Sequence, residues 1–165
     1  MRSGYRARQN TDMTETDDHL LGPGLLPTPF TAAEIRASSR GGKVIRLLVE
    51  SADGGSHERL NRFRDGDDDG ATLEQWRADA PDEMTARRVT WRELQEHAAF
   101  PADSTQVSSE VIALPLGSLE CLRYDTQPSA GEPGATFWFA LAHPGMPVRY
   151  EIGGQRTTVL SIRPS

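Results

Sequence analysis

Cysteine and lysine are almost absent from this sequence. Cys121 is the one cysteine and Lys43 the one lysine, so 17 of the 18 basic residues are arginine. A single cysteine excludes an intramolecular disulfide, and a chain without disulfides suits a reducing compartment. We therefore expect a cytoplasmic protein. The excess of arginine over lysine is typical of a GC-rich bacterial genome and indicates a source rather than a function.

Long apolar runs are missing as well. No stretch approaches the roughly 18 residues of a membrane-spanning helix. The first twenty residues have no apolar segment after their arginines, so they lack the central region of a secretory signal. The 24 acidic residues exceed the 18 basic ones, which are scattered, and the net charge is −6. These features predict no membrane span and argue against a nucleic-acid partner.

Short catalytic and cofactor-binding motifs are also lacking. The sequence contains no Gly-x-Ser-x-Gly, His-Glu-x-x-His, Cys-x-x-Cys or Gly-x-Gly-x-x-Gly pattern. Gly42-Lys43 does not belong to a phosphate-binding loop, because Ala37 stands where that loop needs its first glycine. No enzyme class is indicated, and no cofactor is expected.

The length suits one domain, preceded by a polar tail. Residues 1–18 are polar, mixed in charge and without periodicity, which predicts disorder. Residues 19–165 are expected to form a single β-rich domain. Its first segment, residues 20–30, contains three prolines among leucines, which predicts an extended lead-in packed on the domain.

Two short helices are predicted by the same capping pattern. Thr31 and Thr90 are each followed three residues later by a glutamate, which is the capping-box arrangement at a helix N-terminus. Gly41 supplies a stop for the first helix. The pattern predicts helices over residues 32–39 and 91–98.

The remaining periodicity is that of strands. From Lys43 to Glu50 the apolar residues Ile45, Leu47 and Val49 share one face, as in a half-buried strand. Residues 78–85 are expected to form a loop. The predicted strands cover residues 43–50, 57–64, 71–77, 105–114, 118–125, 135–141, 147–152 and 156–162. No alternation of strands with long helices is present, so we predict a mainly β (α+β) fold, a curved antiparallel sheet or partial barrel of about eight strands.

Residues 113–126 and 137–151 resemble a strand-turn-strand pattern of uncharacterised bacterial β-rich proteins, which have been likened to the lipoprotein-carrier half-barrel. Residues 25–36 and 90–101 resemble further signatures of small uncharacterised proteins of high-GC bacteria. The resemblance implies a curved antiparallel sheet, and it brings neither a reaction nor catalytic residues. The sequence differs from exported carriers because no signal and no cysteine for lipid attachment stand near its start.

The acidic segment between the second and third predicted strands has part of a calcium-loop pattern. Asp65, Asp67 and Asp69 alternate and precede Gly70, as carboxylates do in an EF-hand loop. The twelfth position, which needs a bidentate glutamate, is Trp76, and the flanking segments are strands. We therefore favour a solvated hairpin tip, whose aspartates and glycines suit a tight turn, over a metal site.

Three polar residues are the candidates for catalysis. Cys121 is either a nucleophile or a small buried apolar residue of a strand, and the second reading is the commoner one. His97 follows Glu93 by one helical turn, an arrangement that suits a proton-transfer pair or an ordinary i, i+4 contact. For Cys121 and for the His97–Glu93 pair, we favour the structural interpretation over the catalytic one.

The aromatic residues provide the candidate ligand site. A concave sheet can line an apolar pocket with such side chains, although the core needs most of them. The candidate ligand-binding residues are Trp91, Phe137, Trp138, Phe139 and Tyr150.

Three hypotheses about function follow. The leading one is a non-catalytic binding or interaction module with a concave site for an apolar small ligand. The second is an enzyme whose site is assembled from His97, Glu93 and Cys121. The third is an acidic structural partner of another cytoplasmic protein, bound through a sheet edge or the N-terminal tail.

Overall fold

The computed structural model describes residues 18–127 and 131–165. The predicted tail, residues 1–18, lies outside the described residues except for Asp18. Helices α1 (Ala32–Ser39) and α2 (Trp91–Glu96) are short. The strands are β1 (Lys43–Glu50), β2 (Ser56–Arg64), β3 (Gly70–Arg77), β4 (Ala80–Thr90), β5 (Thr105–Leu114), β6 (Gly117–Thr126), β7 (Ala135–Ala140), β8 (Arg149–Ile152) and β9 (Gln155–Pro164).

The nine described strands form one antiparallel sheet in the order β4-β3-β2-β1-β9-β8-β7-β6-β5. The sheet is curled but does not close into a barrel, and β4 and β5 are its two edges. The mainly β fold with a curved antiparallel sheet is therefore confirmed. The pairing of β1 with β9 joins the first strand to the last and makes the two halves of the chain one sheet.

The helical layer lies on the concave face of this sheet because β4 and β5 are consecutive strands at opposite edges. The connection between them, residues 91–104, has to cross from one edge to the other, and it contains α2. Helix α1 packs against α2. The core forms between the two helices and the inward side chains of the sheet, such as Ile45, Leu47 and Phe139, each at most 2% exposed.

Both capping boxes are present at the two helix N-termini. The Thr31 hydroxyl accepts from the Glu34 amide at 3.2 Å, and the Glu34 carboxylate accepts from the Thr31 amide at 3.0 Å. Thr90 and Glu93 make the same pair of bonds at 3.0 and 3.1 Å. The prediction of both helices is confirmed, with α2 ending at Glu96 rather than at residue 98.

The lead-in packs on the domain, as predicted. The Gln95 side chain of α2, only 2% exposed, is the link. Its amide nitrogen donates to the Thr28 hydroxyl at 3.0 Å and to the Asp18 carbonyl at 2.9 Å. Its oxygen accepts from the Ala32 amide at 2.9 Å. One buried side chain thus joins the lead-in, α1 and α2.

The expected loop over residues 78–85 was wrong, and the strand count rises from eight to nine. Strand β4 begins at Ala80 and has only Val89 buried among its residues. It is an edge strand with β3 as its one partner, and because its side chains other than Val89 are not buried on either face, it has no alternating apolar pattern. Pro81 lacks an amide donor and is tolerated at an edge.

Neither of the two described helices is long and apolar enough to reach across a membrane.

A substitution at Gly70 tests how tightly the acidic turn is packed. A Cβ atom at this position would lie 1.9 Å from the Val89 carbonyl oxygen, whereas a Cβ at Gly41 would meet nothing within 4 Å. We expect Gly70→Ala to lower the free energy of unfolding by more than about 2 kcal/mol, since the ladder between β3 and β4 must shift. Gly41→Ala should change it by less than about 0.5 kcal/mol. Urea unfolding of both variants is the measurement, and equal midpoints would contradict this account.

Candidate functional site

A cavity of about 280 Å³ lies on the concave side of the sheet, beneath the helices. Helices α1 and α2 contribute to its wall together with strands β1, β2, β3, β4, β7 and β8 and the segment before β8. Most of its lining is apolar. The apolar side chains include Ile35, Phe63, Leu94, Phe137, Phe139 and Met146.

The strand register explains which side chains reach this cavity. Alternate residues of a strand point to the same face. Lys43 therefore shares the inward face of β1 with Ile45 and Leu47. In the ladder with β2, Lys43 lies opposite Phe63 and Ile45 opposite Asn61. The inward row of β2 thus includes polar side chains beside Phe63.

Lys43 is the most unusual polar group of the cavity. It is only 7% exposed, and its ammonium donates to the Ser38 hydroxyl at 3.2 Å and to the Pro144 carbonyl at 3.3 Å. Both acceptors are neutral. Burial lowers the pKa of Lys43 from 10.5 to about 8. The pKa of His143 in the neighbouring loop is lowered by two causes. The larger is the burial of the His143 ring itself, and the second is the charge of Lys43.

Arg59 contributes a second cationic group to the lining. Its Nη2 donates to the Tyr150 hydroxyl at 3.2 Å. Its Nε is buried and has no acceptor among the described residues. Nearby, the Gln75 amide donates to the Asn61 carbonyl oxygen at 3.2 Å, and the Asn61 amide contacts the Met146 sulfur at 3.7 Å. Polar groups are therefore held in fixed positions along one wall.

Arg87 and His97 complete the polar part of the wall. Arg87 comes from β4, and its guanidinium lies 3.8 Å from the Glu93 carboxylate. His97 caps the C-terminus of α2. Among the described residues that line the cavity, none is an aspartate or a glutamate. The wall combines apolar side chains with cations.

The structure divides the five aromatic residues predicted to bind a ligand. Phe137, Phe139 and Tyr150 line the cavity. Phe137 lies opposite Tyr150 in the ladder between β7 and β8, and their ring centroids are 6.1 Å apart in a stacked arrangement. Trp91 and Trp138 are outside this lining, so only three of the five are brought together there.

Trp91 and Trp138 have structural contacts instead. The Trp91 ring nitrogen donates to the Asp67 carbonyl at 2.8 Å and ties the acidic turn to α2. Trp138 alternates with Phe137 and Phe139, so it points to the other face of β7. There its ring nitrogen donates to the Glu110 carboxylate at 2.9 Å, and the Arg123 guanidinium lies 5.2 Å from its ring centroid.

The three candidate catalytic residues do not converge. Cys121 lies opposite Glu110 in the β5–β6 ladder, on the face of Trp138, whereas His97 lines the cavity on the other face. The sheet therefore separates the thiol from the imidazole. The Glu93 carboxylate accepts from the Thr90 amide, and no hydrogen bond or ion pair among the described residues joins it to the His97 ring. The geometry needed for an active site of these residues is missing.

The acidic segment forms the predicted hairpin tip between β2 and β3. The Asp67 carboxylate accepts from the amides of Asp69 and Gly70, each at 2.9 Å, and these bonds, with Arg88, lower its pKa. Arg40 pairs with Asp68 at 2.8 Å. The described residues contain no group of three or more side chains placed to hold a metal ion.

Comparison with known proteins adds no relative: no protein-family model matches the chain, and no curated protein matches it either. The resemblance to the lipoprotein-carrier half-barrel stays a prediction.

Sequence reasoning missed the polar residues of the cavity. The signal was present in β1, where the alternation that places Ile45 and Leu47 inward also places Lys43 inward. A charged residue on an apolar face is rare unless it has a function or a partner. The same alternation along β2 places Arg59 and Asn61 on the face of Phe63.

The burial of Lys43 predicts a specific pH dependence of stability. The folded chain holds this proton less tightly than the unfolded chain, so the free energy of unfolding should rise as the pH increases from about 8 toward 10.5. Relative to Lys43→Met, the wild type should gain roughly 2 to 3 kcal/mol between pH 7 and pH 10.

Urea unfolding of both proteins across this range measures the difference. Arg46→Met is the matched control, because Arg46 is an exposed cation that keeps its charge at every pH used. The Arg46→Met variant should show the same dependence of the free energy of unfolding on pH as the wild type. A wild-type profile parallel to that of Lys43→Met would contradict the burial of an ionisable amine.

Cys121 should be an unreactive thiol in the folded protein. It is 2% exposed, and burial together with the charge of Glu110 raises its pKa above 9.0. We expect a disulfide reagent such as dithionitrobenzoate to react with it more slowly than with the urea-unfolded chain, by roughly two orders of magnitude or more. Because the chain has one cysteine, the absorbance change reports this thiol alone. Rapid reaction of the native protein would refute its structural role.

Proposed function

We propose that this protein is a non-catalytic binding module that holds a small apolar molecule in the cavity beneath its helices. The observation that carries the proposal is the cavity itself, about 280 Å³ lined by apolar side chains from both helices and the curled sheet. Protein interiors are close-packed and leave few voids larger than a water molecule. A space of this size, with ordered polar groups on one wall, is typical of a ligand site.

The size of the cavity favours a small ligand. Sites for small molecules commonly measure roughly 300–1,000 Å³, and this one lies near the lower limit. Phe63, Phe137, Phe139 and Tyr150 supply the aromatic part of the wall. We also propose a cytoplasmic location, since the single cysteine suits a reducing compartment.

A catalytic function has less support, because the residues named for it lie on different faces of the sheet. The partner hypothesis stays a prediction. Its candidate surfaces are the edges at β4 and β5, each of which has one strand neighbour.

Binding can be tested with 1-octanol and protein carrying ¹³C-labelled methionine methyl groups. Met146 lines the cavity, whereas Met84 is 40% exposed on β4 and serves as an internal control. We expect saturable shifts of the Met146 methyl signal during the titration, with the Met84 signal unchanged.

Filling the cavity should abolish this binding. Leu94→Trp adds volume at the wall, and we expect it to weaken 1-octanol binding by about tenfold or more. Leu122→Trp is the control, because Leu122 packs on the core without lining the cavity. Unfolding curves show whether each variant is folded. If folded Leu94→Trp binds 1-octanol as well as Leu122→Trp does, the ligand does not occupy this cavity.

A further inference from the structure

We propose that the ligand is an organic anion with an apolar body and one acidic head group, which the cationic side chains of the cavity wall bind. This inference rests on the proposed function, since it names the chemical class of the molecule held in that cavity.

Two of the cations that line the cavity, Lys43 and Arg59, have no counter-charge among the described residues. Lys43, Arg59 and Arg87 line the cavity, and none of the described lining residues is a carboxylate. Arg87 is different, because its side chain is 54% exposed and lies 3.8 Å from the Glu93 carboxylate, which is its ion-pair partner. Charged side chains in a protein interior are normally paired. A ligand would therefore supply the negative charge that Lys43 and Arg59 lack.

Arginines on the outer face of the same sheet behave differently. Arg46 pairs with Glu58 at 2.6 Å, and Arg62 pairs with Glu74 at 2.6 Å. Arg123 bonds to the carboxylates of Glu110 and Asp125. This chain has more acidic than basic residues, so a shortage of carboxylates does not explain the unpaired cations. Arg149, also on the outer face, has no ion pair among the described residues, but its guanidinium lies 5.9 Å from the Trp138 ring centroid.

A bound anion would change the surroundings of the Lys43 ammonium. Its ammonium has the Ser38 hydroxyl and the Pro144 carbonyl as acceptors, and both are neutral. Ammonium groups have three donors, so one direction is left for a further acceptor. A carboxylate placed there would offset the burial that now disfavours the charged form of the amine.

Arg59 and Tyr150 provide the directional contacts for a head group. The Nη2 atom of Arg59 bonds to the Tyr150 hydroxyl, and its Nε is a buried donor without an acceptor among the described residues. A buried donor left unpaired is destabilising, and a bound acceptor would remove that cost. The Tyr150 oxygen accepts from Arg59, so its own hydrogen can be donated to the same ligand.

Three probes with the same eight-carbon chain separate charge from apolar fit. Octanoate, 1-octanol and octyltrimethylammonium are titrated into the methionine-labelled full-length protein at pH 7, with the Met146 methyl signal as the readout. We expect octanoate to bind at least about tenfold more tightly than 1-octanol, and the cation to bind most weakly. Equal or weaker binding of octanoate would overturn the anion proposal and leave the binding function standing. If none of the three probes binds, both the anion proposal and the proposed binding function are refuted.

Substitutions then locate the head group. Arg59→Gln should weaken octanoate binding by about tenfold and leave 1-octanol binding unchanged, so that retained 1-octanol binding reports a folded cavity. Arg62→Gln, on the outer face of the same strand, should leave the binding of both probes unchanged. Equal loss in both variants would indicate a general charge effect and overturn the assignment of the head group to Arg59.

The affinity for octanoate should also depend on pH. Lys43 loses its proton near pH 8, and the other ionisable groups that face the site are Arg59, Arg87, His97 and Tyr150, with His143 beside Lys43. Octanoate affinity should fall between pH 7 and pH 9.5, while 1-octanol affinity stays constant. In Lys43→Met the octanoate affinity should be lower at pH 7 and lose this dependence. An octanoate affinity that does not change with pH would remove Lys43 from the head-group site.

Discussion

Strands β4 and β5 follow one another in the chain but lie at opposite edges of the sheet, and this arrangement determines most of the structure. Residues 91–104 have to cross the concave face, which brings α2 over the sheet. Gln95 then fixes the lead-in and α1 to the crossing segment through three hydrogen bonds. The helices cover the concave face but do not fill all the space beneath them, and the space that is left is the cavity.

The helices and most strands could be predicted because their signals are local. A capping box needs only a threonine and a glutamate three residues apart, and both bonds of each box are formed. Strand β1 could be predicted for the same reason, since burial of Ile45, Leu47 and Val49 on one face leaves a period of two. Strand β4 lacks that signal because its side chains, apart from Val89, are not buried on either face. The order of the sheet depends on the pairing of β1 with β9, which no local pattern encodes.

The candidate site was predictable only in its apolar part. Phe137, Phe139 and Tyr150 could be named from their aromatic character, but Trp138 could not be separated from its neighbours until the register assigned it to the other face. Gly42-Lys43 does not match a phosphate-binding loop, and that comparison says nothing about where the Lys43 amine lies in the fold. The significance of Lys43 depends on a neighbour more than a hundred residues away, Pro144, whose carbonyl holds the amine.

The position of the one lysine has a consequence for the outer surface. Every exposed basic side chain other than histidine is a guanidinium, which stays protonated throughout the range in which proteins are handled. Making the solution moderately alkaline therefore leaves the basic charge pattern that the protein shows to solvent intact, and the lysine that titrates does so inside the cavity. Solubility and surface contacts that depend on arginine would persist from neutral to alkaline pH while the interior of the molecule changes its charge.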